Sequence, residues 1–341
     1  LVTGATGFKG SWLSFWLNNL GAKVVGVGLK PENGSILFKS LKLNSLIKQY
    51  YLDLSNFKKI NNLIKKEKPD IIFHLAAQSI VSESYLNPLK TIESNTLGSA
   101  NILESTRINK IKNLVYITSD KCYLNIEKKN GYSELDTLGG YDNYSASKAA
   151  AEILFNSYHH SFFKDKILKH ATARAGNVIG GGDMKKNRII PDTVKALRLN
   201  KTILLRNPNS TRPWQHVLEP LFGYLKLGSC LINKKLTNID HPNWNFGPYK
   251  KNCVRVAEIV HYIVKNWPSS KTIIKKDKRK KFKEAKLLSL QINKAKKELN
   301  WQPKLNLKET INLTTSWYQA YFKKKDMSEL TKFQISYFLD K

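Results

Sequence analysis

Three cysteines in 341 residues, Cys122, Cys230 and Cys253, are too few for a disulfide framework, and a reducing, cytoplasmic setting is the simplest expectation. No run of about 18 uncharged apolar residues occurs, so no membrane-spanning helix is expected. Acidic residues are scarce: 26 Asp and Glu stand against 57 Lys and Arg, a formal charge of +31. That imbalance invites a nucleic-acid reading. The basic residues, however, are mostly lysines scattered among asparagines and isoleucines along the whole chain, with no focused patch interleaved with aromatics. No nucleic-acid partner is expected, although the general field favours an acidic small substrate. One dense run, KKDKRKKFKEAK from Lys275 to Lys286, reads as a solvated face, with an anionic contact surface as the alternative. There is no internal repeat. No second histidine stands at metal-ligand spacing from His74, so no metal site is expected.

What is present is a rhythm. Hydrophobic residues make up 41% of the chain and charged residues 24%, which fits a globular enzyme with a substantial core. Short apolar runs (LVT, AKVVGVGL, Gln49–Leu52, PDIIFHLAA, KNLVYITS and the start of ILKHATARAG) alternate with helical patterns. The helices are expected at Ser11–Leu20, Asn56–Lys66, within LKTIESNTLGSANILESTRI and within NYSASKAAAEILFNSYHHSF. This alternation predicts an α/β fold, a Rossmann-like parallel sheet with helices on both faces. Such a sheet holds ligands outside the carboxyl ends of its strands. From Gly176 the texture changes to glycine, proline and asparagine loops between shorter elements. The expected division is a dinucleotide-binding domain over residues 1–175, with later segments returning to it, and a smaller C-terminal substrate lobe with C-terminal helices over 176–341. Two tail helices are expected, Ser289–Leu299 and Leu307–Lys323. The chain opens inside a strand-like segment, so an N-terminal stub is expected to precede it.

Gly4, Gly7 and Gly10 form GxxGxxG between a strand and a helix. A turn without side chains lets backbone amides and a helix N-terminus approach a pyrophosphate. Asp53, after a strand, is a candidate for hydrogen bonding an adenine amino group, or simply for capping the helix that follows. The second strand ends VVGVGLKP, with Gly28, Leu29 and Lys30 where a ribose-binding acid is usual, so NAD and NADP both stay open on the residues alone.

Tyr144 and Lys148 make YxxxK at the start of a helix, where i,i+4 spacing puts both on one face. A nearby ammonium favours the phenolate, which makes Tyr144 a candidate base for a sugar hydroxyl, with Ser119 placed to orient that hydroxyl. Between the glycine turn and YxxxK lies TSDKCY, with Asp120 and Lys121 just past an apolar run. A salt bridge with no catalytic role is the plain alternative for that pair.

The strings GATGFKGSWL, HLAAQ, TSDKCY, GGYDNYSASKAAAE, ATARAGNVIGGGD and TRPWQHVLEPL closely resemble the CDP-glucose 4,6-dehydratases of the extended short-chain dehydrogenase/reductase group. The resemblance runs from Leu1 past Trp244–Pro248 into ELNWQP near the C-terminus. Ala5 stands where that family often has histidine, and Gln291 where it often has aspartate. The resemblance implies a redox-neutral hydro-lyase in deoxysugar biosynthesis, with tightly held NAD, acting on CDP-D-glucose as a homodimer or higher homo-oligomer. It implies that Asp120 is the acid for the C6 oxygen and Lys121 the base at C5. A lysine acts as a base only when neutral. A closed site with the Lys148 charge nearby favours that form, and Asp120 opposes it. The implied cofactor contacts are Gly4, Gly7, Phe8, Lys9, Gly10, Asp53, Leu54, Leu75, Ala76, Ala77, Tyr144 and Lys148.

A nucleoside diphosphate asks for guanidinium forks and amides. Asn177 and Arg212 match the family's diphosphate ligands. Arg188 and Arg206 are further candidates, each weighed against a surface salt bridge, and Ser79 is placed to reach the sugar or cofactor. Arg174 is read as tying the end of its strand to the core. Gly180–Gly182 with Asp183 reads as a flexible substrate loop, against plain turn chemistry. The rival readings are a nucleotide-sugar 4-epimerase, which needs no acid–base pair at C5 and C6, a dehydratase acting on another nucleotide-linked glucose, and a nucleic-acid-associated or scaffolding protein that retained the fold.

Overall fold

The structure is a computed structural model describing residues 1–31, 35–237, 239–267, 272–277 and 287–341. Seven strands form one parallel sheet: β1 (Val2–Thr3), β2 (Val25–Gly28), β3 (Lys48–Tyr51), β4 (Ile71–His74), β5 (Asn113–Ile117), β6 (His170–Ala175) and β7 (Asn243–Phe246), in the order β7-β6-β5-β4-β1-β2-β3. The strand order reverses between β1 and β4, which pair in the register Val2 with Phe73 and Thr3 with His74. Parallel strands need crossovers, and each central strand is buried on both faces, as the five buried residues of β5 show. The seventh strand comes from far along the chain, pairing Asn243–Phe246 with Thr172–Ala175.

The crossover helices are α1 (Phe8–Asn19), α2 (Phe57–Glu67), α3 (Gly98–Ile108) and α4 (Asn143–Tyr158). Helix α2 shows how the lysine-rich sequence is accommodated. Asn56 caps it by accepting from the Lys59 N–H, and it turns Ile60, Leu63 and Ile64 inward while its lysines stay outside. Beyond the sheet lie α5 (Ile189–Arg198), α6 (Leu218–Ile232) and three small strand pairs. Val178–Ile179 runs parallel to Gln215–His216, Thr211–Pro213 antiparallel to Cys253–Arg255, and Ile203–Leu205 parallel to Ile274–Lys276. Among the described residues no helix is long and apolar enough to cross a membrane.

The tail departs from expectation twice. The helix expected from Ser289 begins only at Asn293, because Ser289 O accepts from Tyr132 N and Gln291 N donates to Tyr132 O, holding that stretch extended. A further helix, Met327–Leu339, follows Leu307–Phe322, capped by Asp326, which accepts from the N–H groups of Ser328 and Glu329. Most of the basic run read as a solvated face, residues 278–286, lies outside the described residues.

The tail is latched to α6 by Glu219, which is 1% exposed. One carboxylate oxygen accepts from Lys304 N at 2.9 Å and Leu305 N at 2.7 Å. Burial pushes this carboxyl up from 4.5 to about 7, with those two N–H groups opposing the rise. The folded state therefore binds the proton more tightly than the unfolded chain. Its stabilising effect is complete below about pH 4.5 and is lost as pH rises to about 7. Glu219→Gln keeps the acceptor without the charge. Thermal melts across this range are expected to coincide near pH 4.5 and diverge in favour of the variant up to about pH 7, by ~3 kcal/mol at 1.36 kcal/mol per unit. A difference independent of pH would refute the latch.

Candidate active site

At the carboxyl end of β1 the chain turns through Gly4, whose φ of 72° is the left-handed region. A Cβ on Gly4 would lie 2.9 Å from Ala76, and one on Gly10 only 2.0 Å from the Gly4 carbonyl oxygen. The first and third glycines are thus required by packing of the turn against Leu75–Ala76 and against α1. Helix α1 opens with Gly7 at its cap, no side-chain cap and no acid in its first turn. Its first-turn N–H groups, left without a side-chain cap, fit a pyrophosphate, so this cradle suits a dinucleotide. Asp53 makes a local turn, accepting from Ser55 N at 3.0 Å, and the cap of α2 is Asn56 instead. Leu54 is buried against Gly98 at the start of α3. Ala5 is fully buried in the glycine turn, and Gln291 lies far off, donating to the Gly131 carbonyl.

At the carboxyl end of β5, Ser119 caps a short turn, Asp120–Cys122, accepting from Lys121 N at 3.2 Å and donating to Asp120 Oδ1 at 3.0 Å. Helix α4 packs on that turn. It starts where Asp142 accepts from both Ser145 N and Ser145 Oγ, which carries Tyr144 and Lys148 into the interior, 8% and 5% exposed. Ser119, Asp120, Tyr144 and Lys148 are brought together and buried, and Lys121 is half-buried beside them.

Burial sets the electrostatics. It pushes the Tyr144 phenol up to about 12. The Ser119 hydroxyl, within hydrogen-bonding reach, and the Arg188 charge lower it, and Asp120 and Asp142 raise it. Lys148, expected to be the main support for a phenolate, is not among these leading influences; burial and then the Lys9 charge bring Lys148 itself down to about 8. Lys9 reaches the same space. Burial, followed by Arg188, lowers it to about 8 against the pull of Asp120. The Asp120 carboxyl is raised by burial, with Lys121, Ser119, Arg212 and Lys9 pulling the other way. Its Oδ2 is buried and has no hydrogen-bond partner among the described residues. A carboxyl with a raised pKa and an unsatisfied oxygen is suited to holding a proton for delivery.

The cations gather on one side. Arg212, 5% exposed on the strand Thr211–Pro213, acts on Asp120. Arg188 donates to Ser79 Oγ at 2.6 Å and pairs with Asp183 at 2.7 Å. Arg206 donates to the Asn187 carbonyl at 2.7 Å, and Asn177 is half-buried after β6, its carbonyl accepting from Gln215 N. The expected flexible loop at Gly180–Gly182 is instead packed solid. A Cβ on Gly181 would lie 2.0 Å from the Trp317 ring and one on Gly180 2.8 Å from Val217, while Gly182 sits at φ 88° against Leu37. Bulky core side chains fill the space that loose glycines would leave.

Under the turn lies a charged network the motifs did not announce. Glu152, fully buried on α4, accepts from Thr118 Oγ1, from Thr172 Oγ1 at 3.1 Å and from Arg174 Nη2 at 2.7 Å. Arg174 also donates to Tyr123 OH at 2.8 Å and to the Glu134 carbonyl at 3.1 Å. It does tie its strand to the core, and to both flanks of TSDKCY. His74 spans Thr3 and Ser99 through its two ring nitrogens, and burial lowers it to about 3, so it stays neutral.

With this geometry in hand, the likenesses are specific. A family model described as GDP-mannose 4,6 dehydratase matches residues 1–314. A CDP-glucose 4,6-dehydratase of Salmonella typhimurium is 40% identical over 98% of this chain and 94% of its own. A UDP-glucuronate 4-epimerase of Thermodesulfobacterium geofontis is 26% identical over 93% of this chain and 95% of its own. Among solved structures, a dTDP-glucose 4,6-dehydratase from Bacillus anthracis in complex with NAD superposes with a TM-score of 0.78 at 19% identity, covering 96% of this chain and 98% of that one.

Proposed function

The chain belongs to the GDP-mannose 4,6-dehydratase family, and from that premise we propose that it is a lyase converting CDP-D-glucose to CDP-4-dehydro-6-deoxy-D-glucose and water. The carrying observation is the Asp120–Lys121 pair on the turn after β5, beside Ser119 and Tyr144, in a chain 40% identical to a CDP-glucose 4,6-dehydratase over nearly its whole length. A simple 4-epimerase has no use for an acid and a base at that place.

NAD, when bound, would supply the reversible hydride acceptor that links oxidation at C4 to reduction at C6. Gly4, Gly7 and Gly10 with the Phe8, Lys9 and Gly10 amides would hold its pyrophosphate, and Asp53, Leu54, Leu75, Ala76 and Ala77 would contact the rest of the dinucleotide. Tyr144 accepts the proton of the C4 hydroxyl, which Ser119 aligns. The C4 ketone acidifies C5, and Lys121 removes that proton. Asp120 gives its proton to the C6 hydroxyl, which leaves as water, and Lys121 returns its proton to C5. The proton gathered at Tyr144 has a path back to Asp120 through the Ser119 hydroxyl, which donates to Asp120 Oδ1 at 3.0 Å. Proton and hydride accounts then close, and the net loss is one water. Arg188, Arg212 and Asn177 hold the diphosphate. The same reading carries a cytoplasmic setting and a homodimeric or larger assembly.

Incubation with CDP-, dTDP-, UDP- and GDP-glucose, followed by mass spectrometry, is expected to show loss of one water from CDP-glucose above all others. Epimerised sugar without loss of water, or dehydration of another nucleotide sugar in preference, would overturn the assignment.

A further inference from the structure

On the proposed reading Lys9 serves the dinucleotide cradle through its backbone N–H, which leaves its side chain for another duty. It stands half-buried in the first turn of α1. The side chain reaches across to α6, where its ammonium lies 5.9 Å from the centre of the Tyr224 ring, within cation–π range. That ring is fully buried and held edge-on by Phe246, with 5.7 Å between the ring centres. Among the described residues the ammonium has no hydrogen-bond or ion-pair partner.

Asp120 faces the same space. It is the carboxyl that pulls on Lys9, against the charge of Arg188, and it acts on Tyr224 as well. Its Oδ1 accepts from Ser119, whereas Oδ2 is buried without a hydrogen-bond partner among the described residues. Gly176, just past β6, leaves that oxygen its room, because a Cβ there would lie 3.0 Å from it. Lys121, Arg212 and Lys9 are the cations among the leading influences on the Asp120 carboxyl. In the proposed chemistry Lys121 is neutral when it takes the C5 proton, and Arg212 grips the diphosphate. Lys9 is the cation of the three with no other charge to answer.

We infer that Lys9 is a positioning residue for dehydration, its ammonium seated on Tyr224 and supporting the Asp120 carboxylate that forms as water leaves C6. This rests on the proposed dehydratase reading and adds a side chain that reading leaves out. The proton passes from Asp120 to the C6 oxygen, and the C6–O bond breaks with its electron pair leaving on water. The pair left at C5, once Lys121 has taken the proton there, forms the C5–C6 double bond. Lys9 keeps its own protons throughout. A charge buried without a partner is costly. The ammonium favours the carboxylate over the carboxyl, so its support grows as the proton moves, which lowers the barrier to that step.

The test compares the full-length protein, loaded with NAD, with Lys9→Met and Lys9→Gln on CDP-D-glucose and on its 6-deoxy-6-fluoro analogue. Fluoride is a far weaker base than hydroxide and leaves with little help from an acid. Water loss is expected to slow by about 10- to 100-fold, the scale of one opposite charge beside a carboxyl, through kcat and not KM. Oxidation at C4 should stay measurable by the absorbance of the reduced cofactor. Fluoride release, read with an ion-selective electrode, should slow by a much smaller factor. Equal slowing with both leaving groups would overturn the inference. So would a calorimetric loss of NAD affinity with an unchanged ratio of water to fluoride loss, which would make the side chain a cofactor contact. Wild-type protein that dehydrates CDP-glucose while both variants keep its rate sinks this inference alone. Wild-type protein that releases neither water nor fluoride sinks the functional reading and this inference together.

Discussion

Replacing Lys121 with alanine is expected to slow net dehydration of CDP-D-glucose by about 100- to 10,000-fold, the range of a positioned acid or base. Removal of the C4 hydrogen should stay measurable. The expectation comes from where the residue sits. Its backbone N–H is fixed to Ser119 Oγ at 3.2 Å, and its side chain is half-buried, so truncation removes a base without hollowing the core. Asp120 behind it is 3% exposed, and burial raises its carboxyl against the pull of Lys121, Ser119, Arg212 and Lys9, the direction a proton donor needs.

Two readouts separate the pair. In deuterated solvent, wild-type protein should place deuterium at C5 of the product, and Lys121→Ala should lose that exchange while a C4-deuterated substrate still shows an isotope effect on cofactor reduction. Asp120→Asn should do the reverse, keeping exchange at C5 and blocking departure of the C6 hydroxyl. Exchange at C5 at the wild-type rate in Lys121→Ala would reject the base role. Full dehydration in both variants would strip the pair of its acid and base roles.

The parts of this molecule that were legible in the sequence are those written in local periods. Alternating apolar runs and helical spacings gave the parallel sheet, because a strand buried on both faces and a helix buried on one leave different patterns. TSDKCY and YxxxK were legible because each group lies within one turn. Glu152 was also within reach, one turn past Lys148 on the same helix face, but nothing local says that its partner is Arg174, 22 residues away on β6. The Arg188–Ser79 contact spans 109 residues and is decided by the fold alone. The glycines at 180–182 misled because flexibility and close packing call for the same residue, and only Trp317, Val217 and Leu37 distinguish the two. The start of the helix at Asn293 was hidden for a similar reason, since Tyr132 competes for the backbone of Ser289 and Gln291.

Loss of Glu152 should be the most damaging change to stability. Alanine there would leave the Arg174 guanidinium, 1% exposed, without a counter-charge, and removing one member of a buried pair costs about 3–5 kcal/mol. It would also release Thr118, just past the end of β5, and Thr172, within β6. Glu152→Gln keeps an acceptor for these hydroxyls but not the neutralising charge, so denaturant unfolding should show it recovering part of the loss. Arg174→Met in the Glu152→Ala background removes the orphaned charge and fills its space. The double variant is therefore expected to be more stable than Glu152→Ala alone, with a coupling energy well above the few tenths of a kcal/mol seen for independent sites. Activity should not recover in parallel, because the double variant still lacks the bonds from Arg174 to Tyr123 and to the Glu134 carbonyl that steady TSDKCY. Additive losses in the cycle would show the pair to be a bystander, and recovery of activity together with stability would show that the network only fills the core beneath the site.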